Sequence, residues 1–213
     1  MIYLYAITDR PGTPLPRGPL RELAAHGLAA VFAARTPDSD PSVEALWAHE
    51  EVVEALMHDR AVLPMRFGTC LRDEAAVHAL LDDRRREFQR LLDDVRGRVE
   101  LGVRIAGTPA VATAGQQPST GAEYMAQRRG ARREAEQIAK AVHTPLARIA
   151  DRSTTQHTRG GSDLMTASYL LPDDRIGRFT RRIQELQRAH PELALTCTGP
   201  WPPYSFAGDL EAS

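Results

Sequence analysis

From Val99 onward the apolar residues change period in a fixed order, and this most narrows what the chain can become. Val99–Ile105 reads as a strand. Ala122 to about Ala150 places Ala131, Ala135, Ile138, Val142 and Ile149 on one helical side, with Pro145 expected to kink it. A short edge strand is expected around Ser153–Gln156, and a longer one over Leu164–Leu171. Asp173 or Asp174 is positioned to cap a helix whose Ile176, Phe179, Ile183 and Leu186 form an apolar line, and Pro191 stops it before a last strand, Glu192–Thr198. Strand, helix, strand, strand, helix, strand is the order of the split βαβ, or ferredoxin-like, plan.

The first half is also α+β. Ile2–Thr8 is apolar on both faces (Ile2, Leu4, Ala6 and Tyr3, Tyr5, Ile7), which predicts a central strand covered on both sides. Leu20–Ala25 is either a strand or a helical turn, and Gly27 turns the chain into a strand over Leu28–Ala33. Asp40 or Ser42 is placed to cap a helix from about Val43 to Asp59, with Leu46, His49, Val53, Leu56 and Met57 on its apolar face. Ala61–Gly68 reads as a strand that Pro64 confines to an edge or a bulge. One helix is expected after Asp73, carrying Val77, Leu80, Leu81, Phe88, Leu91, Leu92 and Val95 and ending at Gly97. Two domains follow: a mixed α+β domain over 1–98 and a ferredoxin-like domain over 99–213.

Composition removes several function classes. Arginine and lysine total 27 against 28 aspartates and glutamates, so no global field favours nucleic acid or a membrane. Lys140 is the one lysine. Arg128, Arg129, Arg132 and Arg133 cluster, but Glu123, Glu134 and Glu136 dilute them, and a solvated helix face is expected. No apolar run reaches membrane-spanning length, and the first ten residues read as a strand, not a leader, so an intracellular chain is expected. Cys70 and Cys197 are too few for a disulfide framework or a four-thiolate metal site, and reduced thiols are expected. There is no phosphate loop and no nucleophile elbow. His49 with Glu50 and Glu51 offers too few ligands for a metal, and its place on the apolar face favours a hydrogen-bonded core histidine. Arg66 in an otherwise apolar strand either pairs with a carboxylate, Glu100 being a candidate, or anchors a partner.

The last unusual segment is Gly199-Pro200-Trp201-Pro202-Pro203-Tyr204-Ser205-Phe206. Its prolines forbid a regular helix or a central strand, and they lower the entropy lost on ordering. Together with Tyr3-Leu4-Tyr5, with Leu63-Pro64-Met65-Arg66-Phe67-Gly68, and with Val99-Glu100-Leu101-Gly102-Val103-Arg104, it makes the chain resemble the gas vesicle protein F/L family (GvpL/GvpF). His49 sits where that family tends to place a histidine, while Leu101 stands where it usually carries tryptophan.

The resemblance implies an α+β protein with a ferredoxin-like second domain, acting in gas vesicle assembly without catalysis, metal or cofactor. It implies contact with the hydrophobic shell protein and with other gas vesicle accessory proteins, and a cytoplasmic, vesicle-associated place. The residues carrying it, and so the candidate partner-binding set, are Tyr3, Tyr5, His49, Leu63, Pro64, Arg66, Phe67, Gly68, Glu100, Gly102, Trp201, Pro203, Tyr204 and Phe206. Fold analogy alone supports an alternative, a small-molecule or haem-binding module using His49 or His143.

Overall fold

The computed structural model describes residues 1–34, 42–107, 120–156 and 163–208. Asp40, residues 108–119 of the Gly/Pro-rich stretch, His157, Gly160-Gly161 and Ser162 lie outside them. The chain is α+β and forms two compact units, Met1–Glu100 with Pro200–Ser213, and Leu101–Gly199. The sequence expectation keeps the terminal segment with the second domain; in the structure it belongs with the first unit.

The first unit contains strands β1 (Ile2–Thr8), β2 (Leu20–Ala25), β3 (Leu28–Ala34), β4 (Val62–Pro64) and β5 (Cys70–Leu71), and helices α1 (Val43–Met57), α2 (Glu74–Asp83) and α3 (Arg85–Val95). The sheet order is β2-β3-β1-β4, with β5 also pairing β1. Leu20–Ala25 is a strand because His26 and Gly27, both at positive φ (56° and 77°), make a two-residue hairpin turn that sets Ala25 opposite Leu28. Ser42 caps α1, its hydroxyl accepting from Ala45 N at 3.1 Å. Pro64 closes the edge strand β4, where its missing donor leaves no ladder bond unmade.

Two departures from the periodicity reading matter. Residue Tyr5 is a β-bulge: the register with β3 runs Leu4↔Phe32 and then Ala6↔Val31. Since Val31 and Phe32 face opposite ways, Leu4 and Ala6 do too, and the expected Ile2-Leu4-Ala6 face is broken. Tyr5 joins Ala6 on the side where Val53 and Leu56 of α1 pack with Val31 and Val62. The single helix expected after Asp73 is two, parted at Arg84 (φ −106°, ψ 16°). There Arg84 bonds Glu87 at 2.8 and 2.9 Å and lies 5.1 Å from the Phe88 ring centroid, local contacts that carry no Gly or Pro signature.

The second unit holds most of β6 (Arg98–Ala106), then α4 (Gly121–Ala147), β7 (Arg152–Gln156), β8 (Asp163–Pro172), α5 (Ile176–Ala189) and β9 (Ala194–Trp201) up to Gly199, with strand order β7-β8-β6-β9. Leu101, Val103 and Ile105 of β6 and Met165, Ala167, Tyr169 and Leu171 of β8 alternate onto one face, and Val142, Leu146, Phe179, Ile183 and Leu186 cover it. Thr120 and Glu123 form a reciprocal capping box at the start of α4. Pro145 lies in its last turn, and the helix stops at Ala147. Asp173 and Asp174 do not cap α5; they sit in a 3-10 turn, Asp173–Arg175, that leads into it. Strand β9 runs on through Gly199-Pro200-Trp201, further than the expected Thr198, because an edge strand tolerates proline. A Cβ on Gly102 would stand 2.8 Å from Thr198 Oγ1, so any larger residue there requires the threonine side chain to shift.

Candidate functional site

The bulge at Tyr5 and the α1 helix bring four motif residues onto one histidine. His49 is 2% exposed. Its Nε2 lies 3.1 Å from Met65 O, which only accepts, so Nε2 carries the proton. Nδ1 is then the acceptor for the Tyr3 hydroxyl at 2.9 Å. That hydroxyl oxygen in turn accepts Gly68 N–H at 3.2 Å. Gly68 holds φ +89°, a conformation that favours glycine and aims its N–H at Tyr3. The Tyr5 ring stacks on the imidazole, 5.3 Å between centroids, and Tyr3 and Phe67 meet it edge-on at 5.6 and 5.9 Å. Burial pushes the His49 pKa down, against the smaller opposing effect of the Met65 bond. Neutral, with both nitrogens engaged, it is a hydrogen-bonded core residue with no lone pair to offer a metal.

The terminal octapeptide is fastened to the same unit by two carboxylates. Ser205 donates from its backbone N to Glu100 Oε2 at 2.8 Å and from its hydroxyl to Glu100 Oε1 at 2.6 Å. Glu100 is 7% exposed and gives both oxygens to this serine, while Arg66 is exposed. The Tyr204 hydroxyl donates to Glu50 Oε2 at 2.7 Å. Proline carbonyls 202 and 203 accept from Tyr204 N and Phe206 N, forming the turn that buries Phe206. Pro203 is buried as well.

Beside this clasp lies a shallow depression of about 260 Å³, lined by Leu46, Trp47, Glu50, Trp201 and Tyr204. Leu46, expected in the core, is 47% exposed; Trp47 is 59% and Val43 66% exposed. Positions 43, 46, 47 and 50 form a second stripe of α1, turned away from the buried His49, Val53 and Leu56. Burial raises the Glu50 pKa, only partly offset by the Tyr204 bond, and the Glu54 charge raises it further. Burial first, and Glu50 second, raise the Tyr204 hydroxyl pKa.

Thus Tyr3, Tyr5, His49, Phe67 and Gly68 converge, as do Trp201 and Tyr204 with Glu50. Leu63 and Pro64 are buried in the sheet, and Gly102 serves the β6–β9 contact. Sequence reasoning does not single out Trp47 or Ser205. A tryptophan one turn into a capped helix, off the main apolar stripe, is the available signal for the first; nothing local marks the second. Arg129 and Arg133 are exposed. Among the described residues no group of His, Cys, Asp and Glu is placed to hold a metal, and no helix is long and apolar enough to cross a membrane.

Residues 1–208 match the family described as "Gas vesicle synthesis protein GvpL/GvpF". The chain is 30% identical to gas vesicle protein L of Streptomyces sp. (strain CB03234), over 98% of this chain and 93% of that one. It is 29% identical to gas vesicle protein F1 of Halobacterium salinarum, over 84% and 76%. The crystal structure of GvpF from Anabaena sp. PCC7120 shares the fold with a TM-score of 0.82 at 20% identity, covering 97% of each chain. That of GvpF from Microcystis aeruginosa gives 0.80 at 18% identity, covering 97% and 98%. With the family matched from the first strand to the terminal clasp, this chain belongs to the gas vesicle synthesis protein GvpL/GvpF family.

Proposed function

We propose that this protein assists gas vesicle assembly by binding the hydrophobic shell protein, together with other gas vesicle accessory proteins, and that it catalyses no reaction. The observation that carries the reading is the uncovered stripe Val43, Leu46 and Trp47, continuous with the depression at Trp201 and Tyr204, in a chain of this family. Large apolar side chains left side by side on a rigid, capped helix lose the hydrophobic stabilisation of burial, and a partner's apolar face restores it. Covering a shell subunit in this way keeps it from aggregating before it polymerises. The site of action is the cytoplasm, at the growing vesicle.

We also infer a ferredoxin-like plan for the second unit. Its support is the strand order β7-β8-β6-β9 with one helix in each crossover, α4 and α5.

Co-purification of tagged full-length protein with the shell protein tests the function. Retention of the shell protein is the expected result. Absence of retention, together with normal vesicles in a strain lacking the gene, would overturn it. The haem or small-molecule reading finds no support in His49, whose two ring nitrogens are already bonded within the fold. An absorption spectrum of the purified protein that shows a stoichiometric chromophore would restore it.

A further inference from the structure

A strand at the edge of a sheet turns a row of main-chain N–H and C=O groups outward, a template on which another strand can pair. Folded proteins blunt such edges with proline, with charge or with a covering element. The strands that end the two sheet orders are β2, β4, β7 and β9. Strand β4 closes on Pro64, and β9 carries Gly199 and Pro200. Strand β2 carries Arg21 and Glu22, and Arg21 bonds Glu74 of α2 at 2.6 Å.

Strand β7 has none of these devices. It reads Arg-Ser-Thr-Thr-Gln, without proline, glycine or lysine, and its one charge is at its first position. All five residues are exposed, and among the described residues the strand is bonded on one side only, to β8. The register is unbroken from Arg152↔Leu170 to Gln156↔Thr166. The root of the strand is fixed to its own sheet. Asp151 N donates to Leu170 O at 2.9 Å, and Arg175 Nη1 donates to the Asp151 carboxylate at 2.6 Å. An edge already held in extended form loses little freedom when a second strand joins it.

The sequence of β7 is complementary to itself. Two copies running antiparallel about a two-fold axis at Thr154 set Thr154 of one against Thr154 of the other, Ser153 against Thr155, and Arg152 against Gln156. Hydroxyl pairs are among the favourable cross-strand neighbours, and no like charges meet. The arginine falls opposite an amide whose oxygen can accept from it. A contact of this kind uses the same patch on both copies, so it closes as a dimer and does not extend into a filament.

We propose that β7 pairs antiparallel, centred on Thr154, with β7 of a second copy of this chain, joining two four-stranded sheets into one. The pairing adds about four to six main-chain hydrogen bonds. That is a small contact, so the dimer forms reversibly and depends on concentration. It involves none of the residues through which the shell protein is proposed to bind.

Sedimentation velocity of the full-length protein over a concentration series tests this. A reversible monomer–dimer equilibrium is expected. Thr154→Glu and Thr154→Lys each put like charges directly opposite one another and should weaken the dimer about fivefold. An equimolar mixture of the two variants should dimerise about fivefold more tightly than either alone, because opposite charges then meet. Position 154 is exposed, and circular dichroism spectra matching wild type verify that both variants fold. A wild-type monomer at every concentration up to about 1 mM would overturn the proposal. So would a dimer that both variants form as well as wild type, or a mixture that recovers nothing.

Discussion

Each unit contains a tyrosine bonded to a histidine, and the two pairs are built differently. In the first, Tyr3 and His49 meet at 2.9 Å; in the second, Tyr169 and His143 meet at 2.8 Å. Around His49 the second ring nitrogen is also bonded, Tyr5 stacks on the ring, and Phe67 and Tyr3 edge it. His143 is half-buried, and it is the tyrosine of that pair that is wholly enclosed, against Phe179. The same bond therefore does two jobs. In the first unit the imidazole is the hub joining β1, α1 and the Met65–Gly68 turn. In the second it caps a phenol that the core would otherwise strand. How much a polar pair matters is set by how many other groups depend on it.

The sharpest way to break this comparison is to delete each hub. His49→Ala leaves the Tyr3 hydroxyl and Met65 carbonyl without their partner and removes a stacked ring, and we expect a loss of about 3 kcal/mol. His143→Ala leaves the one buried hydroxyl of Tyr169 without its partner, but truncating the half-buried imidazole opens a path for water to it, and about 1 kcal/mol is expected. Urea denaturation of the two variants checks the difference; equal costs would erase the distinction. Next in size is Glu100→Ala, which removes both bonds to Ser205, one from a backbone N–H to a charged group; about 2 kcal/mol is expected. Proteolysis of the terminal segment at a rate well above wild type, with α1 still helical by circular dichroism, is the accompanying sign.

Acid sharpens the comparison further. Both histidine pKa values are lowered by burial, for His49 against an opposing bond to Met65. Between each lowered value and the ordinary 6.5, the unfolded chain holds more protons than the folded one. Their contribution is thus complete above about 6.5 and declines as pH falls through that window, where each tenfold rise in proton activity removes up to about 1.4 kcal/mol per histidine. Glu50, with a raised pKa, acts oppositely at lower pH. Melting temperatures at pH 7.5 and 5.5 should separate less in His49→Gln, and likewise in His143→Gln, than in wild type. The least costly change is Trp47→Ala. On an exposed helix position it should alter stability by no more than about 0.5 kcal/mol, so any loss of shell-protein retention it causes reads as lost contact.

Much of this is legible in the chain itself. Ser42 and Asp73 announce their helices, and Gly27 its turn. Alternation in Val99–Ile105 and Leu164–Leu171 names the faces that pack in the second unit. The bulge at Tyr5 is not legible, since it exists only relative to the register of β3, and alternation within β1 looks unbroken without it. Neither is the exposure of Leu46. The apolar arc of α1 is wider than the sheet can cover, and periodicity does not say which part stays outside. The Glu100–Ser205 clasp joins residues too far apart for any local pattern to connect them.

The return of the terminal segment to the first unit has a consequence in time. Translation delivers Leu46, Trp47 and Glu50 early, and Trp201 and Tyr204 only after the whole of Leu101–Gly199 has emerged. A ribosome that stalls before the last stretch, or a transcript cut short, yields a first unit without its aromatic wall and without the serine that seals Glu100. The depression is complete only once Trp201 and Tyr204 have been made. A copy that stops short of them keeps the exposed α1 stripe of Val43, Leu46 and Trp47 but has no aromatic wall beside it.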